Sequence, residues 1–230
     1  MLTETLVRLN SLRRERRAAI VISDLGQGRQ RLVVEGEVVG NDLDAAISAA
    51  FHTGKSSRIE LDGTQFFLNA YLPPARIVVI GAVHISQVLA PMAKLAGFDL
   101  KIIDPRSAFA TPDRFADTDL SIEWPQDALS VDSYTALVAL AHDPKIDDFP
   151  IAAALRAGCF YVGALGSRKS HAARLTRLQA EGLGETELAR IYAPIGLDIG
   201  AANPAEIAVA ILAEIIQSLR RRALLAPIAP

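Results

Sequence analysis

The residues of this chain that could do chemistry gather at turns, each following an apolar run with strand character. Ile77–Ile80 leads into Gly81-Ala82-Val83-His84, and Leu100–Ile103 into Asp104-Pro105-Arg106. Tyr134–Ala141 leads into His142-Asp143, and Cys159–Val162 into Gly163-Ala164-Leu165-Gly166-Ser167-Arg168. In a parallel sheet such turns lie along one edge, at the carboxyl ends of the strands, where α/β folds bind ligands. Gly196 and Asp198 stand in a further glycine-rich loop, Ala193–Gly200.

The residue types limit what each turn can do. His84 opens a helix directly after the Gly81 turn, so its ring either faces the crevice or caps the backbone. Asp104 could take a ribose-like diol or pair with Arg106, and an exposed pair of that kind contributes below ~1 kcal/mol. His142 and Asp143 offer an acid–base pair but lack the two further donors of a closed metal site. Ser167 reads as the N-cap of a helix carrying Leu175 and Leu178. Its free amides, with Arg168 and Lys169 alongside, attract anions. Asp198 reads either as a helix cap or as a ligand contact. Tyr161 and Trp124 read as packing residues, and Cys159 as a core residue.

The elements that position these groups follow from periodicity. Ile77–Ile80 reads as a buried strand. The next helix places Ile85, Leu89, Met92 and Leu95 or Ala96 on one face, and Gly97 stops it. Strand, glycine turn, helix, strand and terminal acid make the first half of a Rossmann unit. The dinucleotide fingerprint G-x-G-x-x-G is incomplete, with Val83 and Ser86 at its second and third positions, so NAD(P) binding is not expected. The irregular segment around 107–119 predicts a loop over the sheet edge. A helix is expected from Asp147 or Asp148 to Arg156, and another from Asn203-Pro204-Ala205-Glu206 to about Arg222, with Ile207, Ile211, Ile215 and Leu219 on one face.

Before Pro73-Pro74, a stiff linker, the pattern is that of a small α+β domain. A helix over 2 to about 17 carries Leu2, Leu6 and Leu9. Strands follow at Ala18–Ser23 and Gln30–Val34, then a helix over Leu43–Phe51 capped by Asn41 or Asp42. A hairpin of Arg58–Leu61 and Phe66–Tyr71 turns at Asp62-Gly63. The expected fold is α/β: this N-terminal domain at 1–72, a Rossmann-like domain at 73–222 with a parallel sheet and helices on both faces, and a frayed tail at 223–230.

Bulk properties narrow the class of partner. Half of the 230 residues are apolar and the formal net charge is −2, which gives no general attraction to nucleic acid or acidic membranes. No apolar run approaches the ~20 residues of a membrane span, and no signal-peptide pattern opens the chain. With its single cysteine, the sequence predicts a cytoplasmic protein.

Taken together, the motifs resemble the XdhC/CoxI family, accessory proteins of xanthine dehydrogenase and related molybdenum hydroxylases, from Pro74 to about Ser218. GAVHISQVLAPMAKLAGF stands beside the family's G-x-G-H helix start, IIDPR beside its D-x-R, and AHD beside its T-H-D. YVGALGSR and APIGLDIGAANPAEIAVAILAEI are nearly the family's wording. The resemblance implies a non-catalytic accessory protein that binds the molybdenum cofactor transiently, supports its maturation and hands it to an apo-hydroxylase. A cysteine desulfurase is a further implied contact, and the apolar helix faces are compatible with a homodimer. Gly81, His84, Asp104, Arg106, His142, Asp143, Gly163, Gly166, Ser167, Arg168, Gly196 and Asp198 are the expected cofactor-binding residues. Two features depart from the pattern: Val83 replaces the second glycine, and Gly36–Asp42 lacks the cysteine of the N-terminal glycine-rich motif. The alternatives are an NAD(P)-binding oxidoreductase and a cofactor-free partner-binding paralogue.

Overall fold

The computed structural model describes residues 3–40 and 42–221, which divide at Pro73–Pro74 into two compact units. The first opens with helix α1 (Thr3–Arg14), followed by β1 (Ala19–Asp24) and β2 (Gln30–Val34). Helix α2 (Leu43–Thr53), β3 (Ser57–Leu61) and β4 (Thr64–Tyr71) complete it. The sheet is antiparallel, in the order β2-β1-β4-β3. Asp62 and Gly63 both adopt positive φ, +49° and +73°, as a two-residue type I′ turn requires. Leu9 and Leu12 of α1 pack on Ala19, Val21 and Val34, whereas Leu6 is exposed. Asp42 precedes α2 without a side-chain cap bond. Leu2, Asn41 and the 223–230 tail lie outside the described residues.

The second unit runs β5 (Arg76–Ile80), α3 (His84–Leu95), β6 (Asp99–Ile103), β7 (Asp119–Ser121), α4 (Pro125–Ala128) and β8 (Thr135–Ala139). It continues with α5 (Pro144–Arg156), β9 (Tyr161–Ala164), α6 (Arg168–Ala180), α7 (Glu185–Leu188), β10 (Ile191–Tyr192) and α8 (Pro204–Arg220). All six strands are parallel, in the order β10-β9-β8-β5-β6-β7. This is the Rossmann order, reversing between β5 and β8. Alternation along β5 sends Ile77 and Val79 to the core that includes Leu89, Ile211 and Ile215. Val78 and Ile80 go to the opposite core, with Ile151 and Leu178. Helices thus cover both faces, as an all-parallel sheet needs.

Local expectations are corrected at several points. Leu95 is 90% exposed, because the buried face of α3 is set by Ile85, Leu89 and Ala93. Helix α5 begins a turn earlier than Asp147, at Pro144, with Asp143 as its N-cap. Strand β9 starts at Tyr161, after the buried Cys159 rather than at it. The segment around 107–119 contains a single 3-10 turn, Pro112–Arg114, and then adds an edge strand, β7. Trp124 is 49% exposed and is no core residue.

Candidate cofactor-binding site

The switch point brings the turns after β5, β6, β8 and β9 to one edge. Gly81 takes φ +117°, and a Cβ there would sit 2.8 Å from the Ala141 main-chain nitrogen, so only glycine lets the β5 and β8 ends come together. Two amides leading into α3 are already bonded within the domain. Ala82 N–H donates to Asp104 Oδ2 (2.7 Å) and Val83 N–H to Ser86 Oγ (2.8 Å), while the Ser86 hydroxyl donates to the Val83 carbonyl. His84 is exposed and caps nothing, a role Ser86 fills.

Asp104 is completely buried. Arg106 donates to it through Nε, Nη2 and its own amide, each at 2.9 Å, so of its two expected roles it takes the pairing with Arg106. Burial alone would raise the Asp104 pKa, but the guanidinium and the Ala82 and Arg106 amides outweigh it and hold the carboxyl below its usual range. The Arg106 pKa is raised by the same hydrogen bonds. Arg106 also lies over the Phe109 ring, 4.8 Å from its centroid. Arg114 ties this loop back onto α3 through the Ala82 and Phe109 carbonyls and Gln87 Oε1. Its role had no signal in the sequence, since an arginine in a polar loop reads as solvated.

At the β8 end, His142 is exposed with φ +58°, and Asp143 Oδ1 accepts the Lys145 amide at 3.0 Å. Asp143 therefore serves as a helix cap. At the β9 end, Ser167 Oγ accepts the Ser170 amide (3.2 Å) and the Ser170 hydroxyl donates to the Ser167 carbonyl (2.9 Å). The Arg168 and Lys169 amides, in the first turn of α6, have no intrahelical acceptor, and both side chains are exposed. Gly166 faces His142 and Ser170: a Cβ built on it would meet Ser170 Oγ at 2.6 Å and His142 Nε2 at 3.5 Å.

Gly163 and Gly196 serve packing. A Cβ on Gly163 would overlap Tyr161 Oη and Ile195. The Tyr161 hydroxyl donates to Glu214 Oε2 (2.7 Å), which also accepts the Gly196 amide (2.8 Å). This buried network pins the 193–200 loop to α8, and burial with the nearby Glu214 raises the Tyr161 pKa well above its ordinary value. Tyr161 also stacks on Tyr192, centroids 4.9 Å apart. Asp198 is exposed and makes no hydrogen bond among the described residues, so it caps no helix. Burial pushes the Cys159 thiol up to about 12, which removes it as a nucleophile or ligand at neutral pH. Among the described residues no cluster of His, Cys, Asp or Glu could hold a metal ion, and no helix is long and apolar enough to cross a membrane.

Beside His142, between α5 and α6, lies a cavity lined by Asp143, Asp147, Ser170, Arg174 and Arg177 among others. Asp147 is 1% exposed and Arg174 4%. Burial pushes Asp147 up to about 7, with Arg174 and the amides near Ala141–Asp143 only partly offsetting it. Burial lowers the Arg174 pKa, against the pull of Asp147 and Asp148. Neither residue was among the expected site residues; an aspartate in a first helical turn reads as a dipole partner.

The fold is that of a Rossmann domain in which the Ala82 and Val83 amides before the first helix are bonded to Asp104 and Ser86. Residues 77–215 match the XdhC Rossmann domain, and the chain belongs to the XdhC family. It is similar to a Bacillus subtilis protein named as a probable xanthine dehydrogenase subunit (33% identity, covering 69% of this chain and 47% of that protein). It is also similar to the molybdenum cofactor insertion chaperone PaoD of Escherichia coli (31% identity, covering 63% and 40%). The uncharacterized Escherichia coli protein YqeB is 31% identical, over 66% of this chain and 28% of that protein. The chain thus spans under half the length of these relatives. A solved structure described as a xanthine dehydrogenase from Bacillus halodurans superposes with a TM-score of 0.66 over 95% of this chain and 67% of that one. At 21% identity that likeness establishes the fold alone.

Proposed function

We propose that this chain is an accessory protein of molybdenum hydroxylase maturation, which holds the molybdenum cofactor at the carboxyl edge of its Rossmann sheet and passes it to an apo-hydroxylase. The observation that carries this reading is the α6 start. There the amides of Arg168 and Lys169 and two exposed cations meet the glycine turn after β9, a seat for a phosphate. Beside this start lies a cavity of about 190 Å³ lined by His142, Asp143 and Ser170 among others. When bound, the cofactor would supply its own metal and dithiolene chemistry. The chain's part is to bind, orient and release. Gly166, Ser167 and Arg168 would take the phosphate, with His142 at the cavity mouth. The names of two relatives, one referring to xanthine dehydrogenase and the other to cofactor insertion, point to the same partner class.

An NAD(P) oxidoreductase is disfavoured by the α3 start. Its Ala82 and Val83 amides are bonded to Asp104 and Ser86, and the Val83 side chain stands where the fingerprint has its second glycine.

The test is co-purification from cells that make the cofactor, assayed as released oxidised pterin, for the wild type and for Arg168→Ala. Near-stoichiometric pterin, much reduced in the variant, is expected. Absence of pterin from the wild type would overturn the carrier role and leave a partner-binding protein that works without the cofactor.

A further inference from the structure

Helix α8 is apolar around more of its circumference than the core uses. Ala208, Ile211 and Ile215 are buried against the sheet. A second flank carries Ala205, Val209, Leu212 and Ile216, at spacings of four, three and four. Of these Ala205 is exposed, Val209 46% exposed and Ile216 37%. A surface helix normally turns charge outwards. Here the only charged residue between Glu206 and Arg220 is Glu214, which is buried in its bonds to Tyr161 and Gly196. Helix α3 packs along α8 and brings the half-buried Met92 and, a turn on, Leu95, which is 90% exposed.

The 4-3-4 spacing is that of one side of a two-helix seam, and the charges at its ends say what forms the other side. When two copies of α8 run antiparallel about a two-fold axis between Leu212 and Ala213, Val209 stands opposite Ile216 and Leu212 opposite Ala213. Glu206, in the first turn of one helix, then falls within one residue of Arg220, in the last turn of the other. This happens at both ends of the seam, as an isologous contact requires, and the opposed helix dipoles favour it. Within one chain both charges are unpaired: the Glu206 carboxylate accepts only the Ala202 amide, and among the described residues the Arg220 side chain makes no hydrogen bond or ion pair. We propose that this face is a homodimer interface, with α8 of one copy lying antiparallel on α8 of a second and the α3 helices flanking the pair. The opposite flank of α8 holds the 193–200 loop, through the Gly196 amide on Glu214 and the Leu197 amide on the Ala210 carbonyl. Pairing therefore also fixes the helix on which that loop hangs. The proposal does not depend on cofactor binding.

The experiment is sedimentation velocity on the full chain across micromolar concentrations. A species of twice 24.6 kDa is expected for the wild type. Val209→Asp, which sets a charge in the seam, should weaken association at least about tenfold, with circular dichroism confirming that the variant is folded. Glu206→Arg and Arg220→Glu each set like charges opposite one another and should each weaken it about tenfold. The double reversal should restore association to within about threefold of the wild type. Residues 206 and 220 stand about 21 Å apart along their own helix, so such rescue reports contact between copies. A wild type that stays monomeric would overturn the proposal and assign the face to a different protein. A dimer as tight in folded Val209→Asp, or charge reversals that add instead of compensating, would overturn it by placing the interface elsewhere.

Discussion

Asp147→Asn should change how stability depends on pH. In the folded chain burial raises this carboxyl from 3.8 to about 7, so the folded state keeps a proton that the unfolded chain has released. Stability from this group is therefore fully present below about pH 4 and is lost as pH rises through about 7, flat beyond. At about 1.4 kcal/mol per pH unit, roughly 3 kcal/mol of that loss falls between about pH 5 and about pH 8. Asparagine, of nearly the same shape, does not titrate, and any cost of burying its amide is independent of pH. The difference between the two pH profiles thus isolates the carboxyl. Arg174 faces Asp147 from α6 and lowers its pKa, Arg106 adds a weaker attraction, and His171, whose own pKa is lowered by burial and Arg174, lies on the same helix. Asp148 is neutralised by Arg177, and Asp143 is a helix cap. Urea unfolding followed by Trp124, the only tryptophan, reports on the second unit. The wild type should lose stability steeply over this window relative to the variant. Parallel profiles would refute the reasoning and would mean that Asp147 is ionised and solvated in the folded protein.

Three further changes probe the frame around the cavity. Tyr161→Phe removes the donor to Glu214 and should cost about 1–3 kcal/mol, with faster amide exchange confined to 193–200 in hydrogen-exchange mass spectrometry; unaltered exchange there would mean that packing alone fixes the loop. Asp104→Asn leaves the Arg106 guanidinium without its carboxylate and should cost about 3–5 kcal/mol at neutral pH. Because the Asp104 pKa is lowered, this contribution is present above the usual carboxylate range and is lost as pH falls through the folded value, so the variant and wild-type melting temperatures should converge in acid. Val83→Gly, which restores the second fingerprint glycine, should still bind no NADH at micromolar concentration; fluorescence enhancement of NADH by the variant would show that the valine side chain was the sole obstacle.

How much of this was legible in the sequence depended on the range of the interactions involved. The β5-α3-β6 unit was readable because its apolar run, its glycines at 81 and 97 and its terminal aspartate are all local signals. The Asp62-Gly63 hairpin and the Ser167 and Asn203 caps were readable for the same reason. The α5 start carries an equally local signal, Asp143-Pro144, the same cap-then-proline pair as Asn203-Pro204; weighting it as heavily would have placed the helix correctly. Strands β7 and β10, three and two residues long, are too short for a period and exist only because a neighbour offers an edge. The opposed exposure of Leu95 and burial of Asp147 are likewise tertiary. The sequence shows residue types along a helix, but which flank the next helix covers is decided by packing. The expected site residues came from turns, and the structure does bring those turns to one edge. The two most deeply buried charges of the cavity lie a helical turn or more beyond them, where sequence reading assigns solvated faces.

The incomplete glycine fingerprint and the bonded α3 start belong together. A phosphate at a Rossmann turn needs both a bare backbone and amides that have no other acceptor. Here Ser86, in the place of the third glycine, accepts the Val83 amide, and Asp104 accepts that of Ala82. The same Asp104 that closes this turn orders Arg106 and the loop after β6, so it stabilises the fold at the expense of the usual nucleotide seat. The first-turn amides of α6, two strands away, have no intrahelical acceptor either.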